Sequence, residues 1–278
     1  MFTIGILTYN RPDFFGNLIS SIKALKCNLI VVNDGQIDVN NQITQNLTNC
    51  KQLEYIKHKQ KLTIARSKNQ IFNFFLEKTN DEYLFIIEDD VIIKDINVFE
   101  RYIQAADVSG IMHFMWHAAS PNNLERQDEK IIEYPEGLMV GFYYHCIGSF
   151  CFYSRELIKA IGFFDEKYKN AIEHIDFSYR CVLAGFLPGY NYWPDIYPNE
   201  PGCFIIDQDP TLKNSTITTT RLSNEIIEAD QYFKSKFGFS TFNTVRNADF
   251  AGNIINIRRN HSKSYSRQQT NKGYGIKL

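Results

Sequence analysis

The reading of the chain turns on Tyr83-Leu84-Phe85-Ile86-Ile87-Glu88-Asp89-Asp90-Val91, an apolar run that ends in three consecutive carboxylates. A short continuous apolar stretch reads as a strand buried on both faces, as in a parallel sheet. Acids at the end of such a strand belong at the carboxyl edge of the sheet, where open α/β folds place their ligands. Side chains alternate along a strand, so the spacing sends Glu88 and Asp90 to one side and Asp89 to the other. Two carboxylates converging on one point repel each other unless a cation or hydrogen-bond donors lie between them. A hard divalent metal bridging them to a diphosphate meets that need; a solvated acidic turn is the bland alternative.

Upstream of this strand the pattern is regular. Residues 3–8 read as a first buried strand, closed by Tyr9-Asn10-Arg11-Pro12. Pro12 can open a helix, because its missing N–H has no partner at that position anyway, and Phe14, Leu18, Ile22 and Leu25 follow at helical spacing. Residues 29–32 form a second strand, closed by Asn33-Asp34-Gly35. A β-α-β unit this short requires a right-handed crossover and a parallel pair. A helical stretch to Cys50, a short strand over 53–56 and a longer helix with Leu62, Ala65, Asn69, Phe72 and Leu76 on one face lead to the acidic strand. The first half is therefore a nucleotide-binding α/β layer.

Downstream the pattern loosens. Residues 110–116 are strand-like, 117–138 read as a polar loop or excursion, and 139–144 and 148–153 read as strands, the second passing into a helix at Ser154-Arg155-Glu156-Leu157. A helix starts near Glu173, with Ile175, Tyr179, Val182 and Phe186 on its apolar face. Residues 187–220 read as extended structure and loop, and 222–237 as an amphipathic helix. From Asn243 the chain turns polar and after Ile257 basic, which reads as a tail that is mobile or ordered only by a ligand. The expected organisation is one α/β domain over 1–240, with a nucleotide-binding half (1–95) and a less regular second half (96–240), followed by a basic, partly flexible tail over 241–278.

Composition sets the outer bounds. The chain has 278 residues, 44% hydrophobic and 22% charged, with a formal net charge of −1. That is ordinary for a soluble globular protein and gives no bulk attraction to nucleic acid or anionic membrane. No apolar stretch approaches the roughly 20 residues that cross a bilayer, and Met1-Phe2-Thr3-Ile4-Gly5 enters a strand with no charged leader. Cys27, Cys50, Cys146, Cys151, Cys181 and Cys203 form no C-x-x-C pair and are expected as reduced, mostly buried thiols. The expectation is a cytoplasmic protein, at most peripheral to a membrane.

Four ordered pieces then carry a resemblance. They are Ile6-Leu7-Thr8-Tyr9-Asn10-Arg11; Val31-Val32-Asn33-Asp34-Gly35; Phe85-Ile86-Ile87-Glu88-Asp89-Asp90; and the composite Gly148-Ser149, Gly162-Phe163-Phe164-Asp165-Glu166, Glu173-His174-Ile175-Asp176, Arg180 and Gly185. Each is weak alone, and their order and spacing together are specific. Over residues 1–187 the chain resembles an inverting family 2 glycosyltransferase of the GT-A fold. The fold class this implies is α/β, with a GT-A (Rossmann-like), mixed and mainly parallel sheet flanked by helices, in a single domain with a C-terminal extension. The activity it implies is metal-dependent, hexosyltransferase-type transfer of a sugar from a nucleotide-diphosphate donor, a UDP-sugar before others, to a glycan, glycolipid or other hydroxyl acceptor, as in polysaccharide biosynthesis.

The nucleotide-binding residues expected on this footing are Thr8, Tyr9, Arg11, Asp34, Arg66, Glu88 and Asp89. Tyr9 offers a π-face to a nucleobase, or else folds back onto the core. Asp34 can accept a hydrogen bond from a base N–H, which favours uracil, whose N3 is a donor, over cytosine, whose N3 is an acceptor; thymine and guanine also qualify. Asp34-Gly35 as a plain turn is the alternative. Arg66 stands where the family carries an arginine, for the base, the diphosphate or an acid; the family's glycine ahead of it is missing, with Lys61 nearby. Glu88-Asp89-Asp90 corresponds to the family's D-x-D. By the resemblance, Glu88 faces the ribose or the metal's water shell and Asp90, with Glu88, holds Mn²⁺ or Mg²⁺, which neutralises the leaving diphosphate.

The acceptor hydroxyl also needs a base. The family opens a helix with Glu-Asp after the F-D-E segment, and the Asp takes the proton; here that register reads Glu173-His174. Histidine is a competent base near neutrality, and equally a metal ligand or a packing residue. Glu173 and Asp176 share a helix face, so the candidate catalytic set is His174, Glu173 and Asp176. The alternatives are a salt pair with Arg180 for Asp176 and a reply to the helix dipole for Glu173. His113, His117 and His145 read as core. His261 follows Arg258-Arg259-Asn260 and reads as part of a solvated basic tail; the alternative is the late histidine or basic loop that related folds bring over the diphosphate.

Other classes fit less well. Nucleotidyltransferases need a Gly-rich basic loop after the first strand, which Thr8-Tyr9-Asn10-Arg11-Pro12 lacks, and there is no G-x-x-x-x-G-K-[ST]. A non-catalytic nucleotide-sugar-binding protein stays open, as does a glycosyltransferase acting on modified nucleic acid through Arg258, Arg259, Lys263 and Arg267, although the near-zero net charge opposes it.

Overall fold

The apolar runs expected as buried strands lie side by side. The computed structural model describes residues 1–117, 130–145, 147–197, 204–209, 219–243, 245–246 and 248–268. In it β1 (Phe2–Thr8), β2 (Asn28–Asn33), β3 (Gln52–Lys57) and β4 (Tyr83–Glu88) are parallel, β9 (Phe150–Ser154) is antiparallel to β4, and β6 (His113–Met115) is antiparallel to β9 and so runs with the other four, in the order β3-β2-β1-β4-β9-β6. β4 sits inside, between β1 and β9, and Leu84, Phe85, Ile86 and Ile87 are all fully buried. The helices α1 (Pro12–Ile22), α2 (Asn40–Asn46), α3 (Ile64–Lys78) and α4 (Val98–Ser109) bring apolar residues onto this core. At Gly5 a Cβ would lie 2.3 Å from the Ile71 side chain, so glycine lets α3 approach the strand closely.

All four parallel strands end at one edge, which gathers the residues that follow Thr8, Asn33, Lys57 and Glu88. The edge is held by the frame behind it. β9 runs into α5 (Arg155–Ile161), and Arg155 donates to the carbonyls of Phe75, Leu76, Thr79 and Asp81, closing the carboxyl end of α3.

The second half contains more strand than its sequence suggests. β7 (Lys130–Tyr134) lies within the expected 117–138 loop and pairs with β8 (Leu138–Tyr143) through a 3-10 turn at Pro135–Gly137. β10 (Trp193–Ile196) flanks β8, and β11 (Ile205–Asp207) pairs with β5 (Val91–Ile93). β10 carries Pro194 and Asp195, both strand-averse. It tolerates the proline as an edge strand, and Asp195 accepts the Tyr102 hydroxyl and the His117 N–H. Cys27, Cys151 and Cys181 are buried, as expected, while Cys50 is intermediate. Cys146, Cys203 and the expected excursion at 118–129 lie outside the described residues, as do parts of the 187–220 stretch.

The expected mobile tail is corrected over residues 250–268. After α7 (Thr219–Phe237), the chain forms α8 (Phe250–His261) and α9 (Lys263–Gln268). Asp249 caps α8 by accepting from the Gly252 N–H, and Phe250, Ile254 and Ile257 enter the main core. The basic residues Arg258, Arg259 and His261 that suggested disorder occupy the last turn, where cations favour the helix dipole. Residues 269–278 lie outside the described residues. Because Ile257 is buried in the core, Ile257→Ala should cost about 2–4 kcal/mol in denaturant unfolding. A change within about 0.5 kcal/mol, typical of surface sites, would return this segment to the status of a loose tail.

Candidate active site

A cavity of about 210 Å³ opens at the carboxyl edge of the sheet. Leu7, Thr8, Tyr9 and Arg11 line it from the end of β1, Val32 and Asp34 from β2, and Glu88, Asp89 and Asp90 from β4 and its turn. Lys61, Leu62, Ile64 and Ser67 complete the wall beside α3, with Asn170 and Asp209 from the second half. Of the expected nucleotide-binding residues, only Arg66 does not line it. Arg66 turns outward with 54% of its side chain exposed and pairs with Glu166 at 3.0 Å. The next residue of the helix, Ser67, takes the inward position.

The three acids have three different surroundings. Asp89 is buried, accepts the Thr8 hydroxyl at 2.7 Å and the Tyr9 N–H at 3.2 Å, and pairs with Arg11. Burial pushes its carboxyl up to about 6, against the pull of Arg11. Its job is to tie β1 to β4. Asp90 meets Arg11 through Oδ2 at 3.3 Å, and its Oδ1 is buried without a partner among the described residues. Glu88 ends the strand 3.4 Å from Lys68, and burial pushes its carboxyl up to about 7 despite that cation. Glu88, expected as a metal ligand beside Asp90, lines the same cavity and also faces Lys68.

Another acid arrives from far along the chain. The Gln208 N–H donates to the Asp90 carbonyl at 2.7 Å, and its amide donates to the carbonyls of Phe14 and Asp89, which seats the buried Asp209 in the cavity wall. Asp209 adds to the electrostatic pressure that, after burial, raises the Asp90 carboxyl. The sequence reading missed it, although Asp207-Gln208-Asp209 repeats the spacing of a D-x-D. Among the described residues no three His, Cys, Asp or Glu side chains converge as a metal cluster. The open Oδ1 of Asp90 and the Asp209 carboxylate are nevertheless hard oxygen donors in one cavity, a set that suits Mg²⁺ or Mn²⁺ completed by phosphate oxygens and water.

Asp34 is gripped from two sides. Its Oδ2 accepts the Ser67 hydroxyl at 2.6 Å, and its Oδ1 contacts His58 Nδ1. Gly35 is required by close approach: a Cβ there would lie 2.5 Å from the Asn10 nitrogen. Asn10 itself has φ 54°, and its side chain accepts from the Gln36 N–H, pinning the two loops together. Tyr9 lies in the cavity wall with the Lys61 ammonium 4.3 Å from its ring centre.

The candidate bases separate clearly. α6 (Glu173–Leu183) begins after Ile172, a β-branched residue at φ 69°, a rare conformation for such a side chain. Glu173 is 2% exposed and accepts from Lys68 Nζ at 2.9 Å, and Lys68 is 1% exposed. Burial alone would raise the Glu173 carboxyl, but Lys68 and then His174 outweigh it and hold it below the usual carboxylate range. His174 Nδ1 lies 3.3 Å from Glu173, with 20% of the side chain exposed. Asp176 is fully buried. It accepts from Arg180 at 2.9 Å, Lys236 at 2.5 Å and Tyr168 at 3.2 Å, which removes it from the candidate bases.

Among the described residues no histidine lines the cavity wall itself; His58 touches it through Asp34, and His174 connects to it through Glu173, Lys68 and Glu88. His113 bonds the Phe152 carbonyl and Ser178, and burial pushes its pKa down to about 4. His117 stacks on Tyr143. His261 stacks on Phe186 and lies 3.9 Å from Glu156, so it is packed rather than part of a solvated tail and does not line the cavity.

The profile described as "Glycosyl transferase family 2" matches residues 3–181. Against curated protein sequences no match is found. Among solved structures, the crystal structure of S. aureus TarS superposes with TM-score 0.54 at 12% identity, covering 98% of this chain and 46% of that one. The mannosyltransferase PcManGT from Pyrobaculum calidifontis, in complex with GDP-Man and Mn²⁺, gives TM-score 0.55 at 11% identity, covering 98% and 76%. TarS 1-349 in complex with UDP gives 0.51 at 13% identity, covering 87% and 73%. The chain therefore spans under half the length of the longer TarS chain.

The buried Lys68–Glu173 pair generates a stability prediction. Lys68→Met leaves Glu173 as an uncompensated buried charge and should cost about 3–5 kcal/mol at neutral pH. Lys68→Met/Glu173→Leu should recover more than half of that in a double-mutant cycle. Because the folded Glu173 carboxyl is depressed, the pair's contribution is present above the unfolded value of about 4.3. It is lost as pH falls through that value toward the lower folded one. Urea unfolding of both variants across the acid range checks the sign; a single-variant cost that does not shrink on acidification contradicts it.

Proposed function

The chain belongs to glycosyl transferase family 2, and on that premise we propose that it transfers a sugar, with inversion, from a nucleotide-diphosphate donor to a hydroxyl acceptor. It is a glycosyltransferase with the GT-A fold. The observation that carries the finer reading is the cavity where Tyr9, Asp34 and Asp90 share one wall, with the Glu88–Lys68–Glu173–His174 chain of contacts leading out of it.

In this reading Tyr9 stacks on the base and Asp34 accepts its ring N–H, so UDP-sugars are favoured over CDP-sugars. Asp90 and Asp209 would hold Mn²⁺ or Mg²⁺, which when bound supplies Lewis-acid neutralisation of the diphosphate charge. The TarS structure holding UDP and the PcManGT structure holding GDP-Man and Mn²⁺ support a nucleotide donor and a divalent ion. Thr8 and Asp89 keep the β1 and β4 ends in register for the donor, and Arg11 holds Asp89 and Asp90 apart from one another's charge.

His174 takes the proton from the acceptor hydroxyl. Its Nδ1 is turned toward Glu173, so a Glu173 carboxylate kept ionised by Lys68 fixes the tautomer with Nδ1–H and leaves Nε2 as the basic nitrogen. The base lies on the acceptor side and the leaving diphosphate on the other, which is the arrangement of an in-line displacement that inverts the anomeric centre. Residues 1–95 serve as the nucleotide half and 96–240 as the acceptor half. A glycan or glycolipid is the favoured acceptor, because two of the basic residues that suggested nucleic acid are committed elsewhere: Arg258 is buried near Tyr134, and Lys263 pairs with Glu82. No helix among the described residues is long and apolar enough to cross a membrane.

The test is a screen of UDP-Glc, UDP-Gal, UDP-GlcNAc, UDP-GalNAc and their uronic acids for Mn²⁺-stimulated hydrolysis, followed by NMR of any transfer product. An α-linked donor should give a β-linked product. His174→Ala should lower transfer by about 10²–10⁴-fold with UDP affinity intact. Retention at the anomeric carbon, or full transfer by His174→Ala, overturns the mechanism.

A further inference from the structure

We propose that His58 is the positioning residue for nucleobase recognition, fixing Asp34 as an acceptor so that the site takes bases with a ring N–H. The proposal rests on the donor reading given above and extends it to a residue outside the cavity wall. β3 ends at Lys57, paired with Asn33, so the next residues of the two strands, His58 and Asp34, are neighbours. The backbone fixes both: the His58 N–H donates to the Asn33 carbonyl and the Asp34 N–H to the Thr8 carbonyl, each at 3.0 Å.

The side chains complete the grip. His58 Nδ1 contacts one carboxylate oxygen of Asp34 and the Ser67 hydroxyl donates to the other at 2.6 Å, from two different elements. Both framework groups act as donors, so the oxygens keep only accepting capacity for a ligand. Uracil N3–H and guanine N1–H can donate to such a group, whereas cytosine N3 and adenine N1 cannot. A carboxylate already held in place loses little freedom when the base arrives, which is the energetic content of preorganisation.

The second ring nitrogen separates this role from simple packing. His58 Nε2 is buried with no partner among the described residues. An unsatisfied buried nitrogen costs the fold stability, so the imidazole is a poor choice for structure alone. Asparagine puts an amide N–H where histidine has Nδ1 and lacks the orphan nitrogen. Glutamine reaches the Nε2 position instead and fills a similar volume.

These two substitutions make the test. UDP, CDP and GDP are titrated calorimetrically with Mn²⁺ into wild-type protein, His58→Asn and His58→Gln, with thermal melts recorded for each. Wild type should prefer UDP over CDP. His58→Asn should keep that preference and melt no lower than wild type. His58→Gln should lose about tenfold in UDP affinity, the order of one charge-assisted hydrogen bond, with CDP affinity unchanged. GDP should follow UDP in both variants. Equal losses for UDP and CDP in both variants, or an undiminished UDP preference in His58→Gln, would overturn the assignment while leaving the donor reading in place. Wild-type protein that binds none of the three overturns both.

Discussion

A lysine ammonium enclosed by protein must be answered by negative charge, and around Lys68 that requirement organises the site. Moving such a cation out of water costs several kcal/mol unless its partners are close and themselves fixed. Glu88, at the end of the central strand, and Glu173, at the start of α6, supply that charge at 3.4 and 2.9 Å. One comes from the first half of the chain and the other from the second. The same contact therefore joins the two halves, keeps Glu173 ionised, and aims His174. Removing it would change stability and, in the proposed mechanism, the base together.

The sheet edge supplies the rest of the geometry. Parallel strands deliver their following residues to one side, so Tyr9, Asp34, His58 and Asp89 are neighbours although they are far apart in sequence. Backbone ties then set the detail: Asp89 holds the turn after β1, and Asn10 in its left-handed conformation meets the loop after β2. Gln208 stitches a late segment across the acids. The cavity is the gap left between these ties, which is why its lining mixes residues from both halves.

How far sequence alone reaches depends on where each residue's partners lie. β1, β2 and β4 are legible because burial on both faces leaves an uninterrupted apolar run, whereas β3 is a half-exposed edge strand; the strand ends point to Tyr9, Asp34 and Asp90, and the family resemblance adds their roles. β7, β10 and β11 are not, since strands of three to five residues containing polar positions acquire their identity from a partner strand. Arg66 and Asp176 sit at the positions the pattern assigns, but their orientation is decided by Glu166, Lys236 and Tyr168. Lys68 carried a signal that went unread: it falls on the stripe with Ala65 and Phe72, where a lysine must be either an error of register or a buried ion pair. α8 was hidden because Gly252, Asn253 and Asn256 interrupt its apolar positions 250, 254 and 257, and a basic run follows at once in its last turn.

In the proposed reading Asp90 and Asp209 form one donor site that works with a divalent ion. Calorimetric titration of UDP with and without Mn²⁺, in wild type and Asp209→Asn, measures that dependence. The expected result is tighter UDP binding with Mn²⁺ in wild type and loss of that increment in Asp209→Asn, with metal-free affinity unchanged. UDP affinity indifferent to Mn²⁺ in wild type would contradict it.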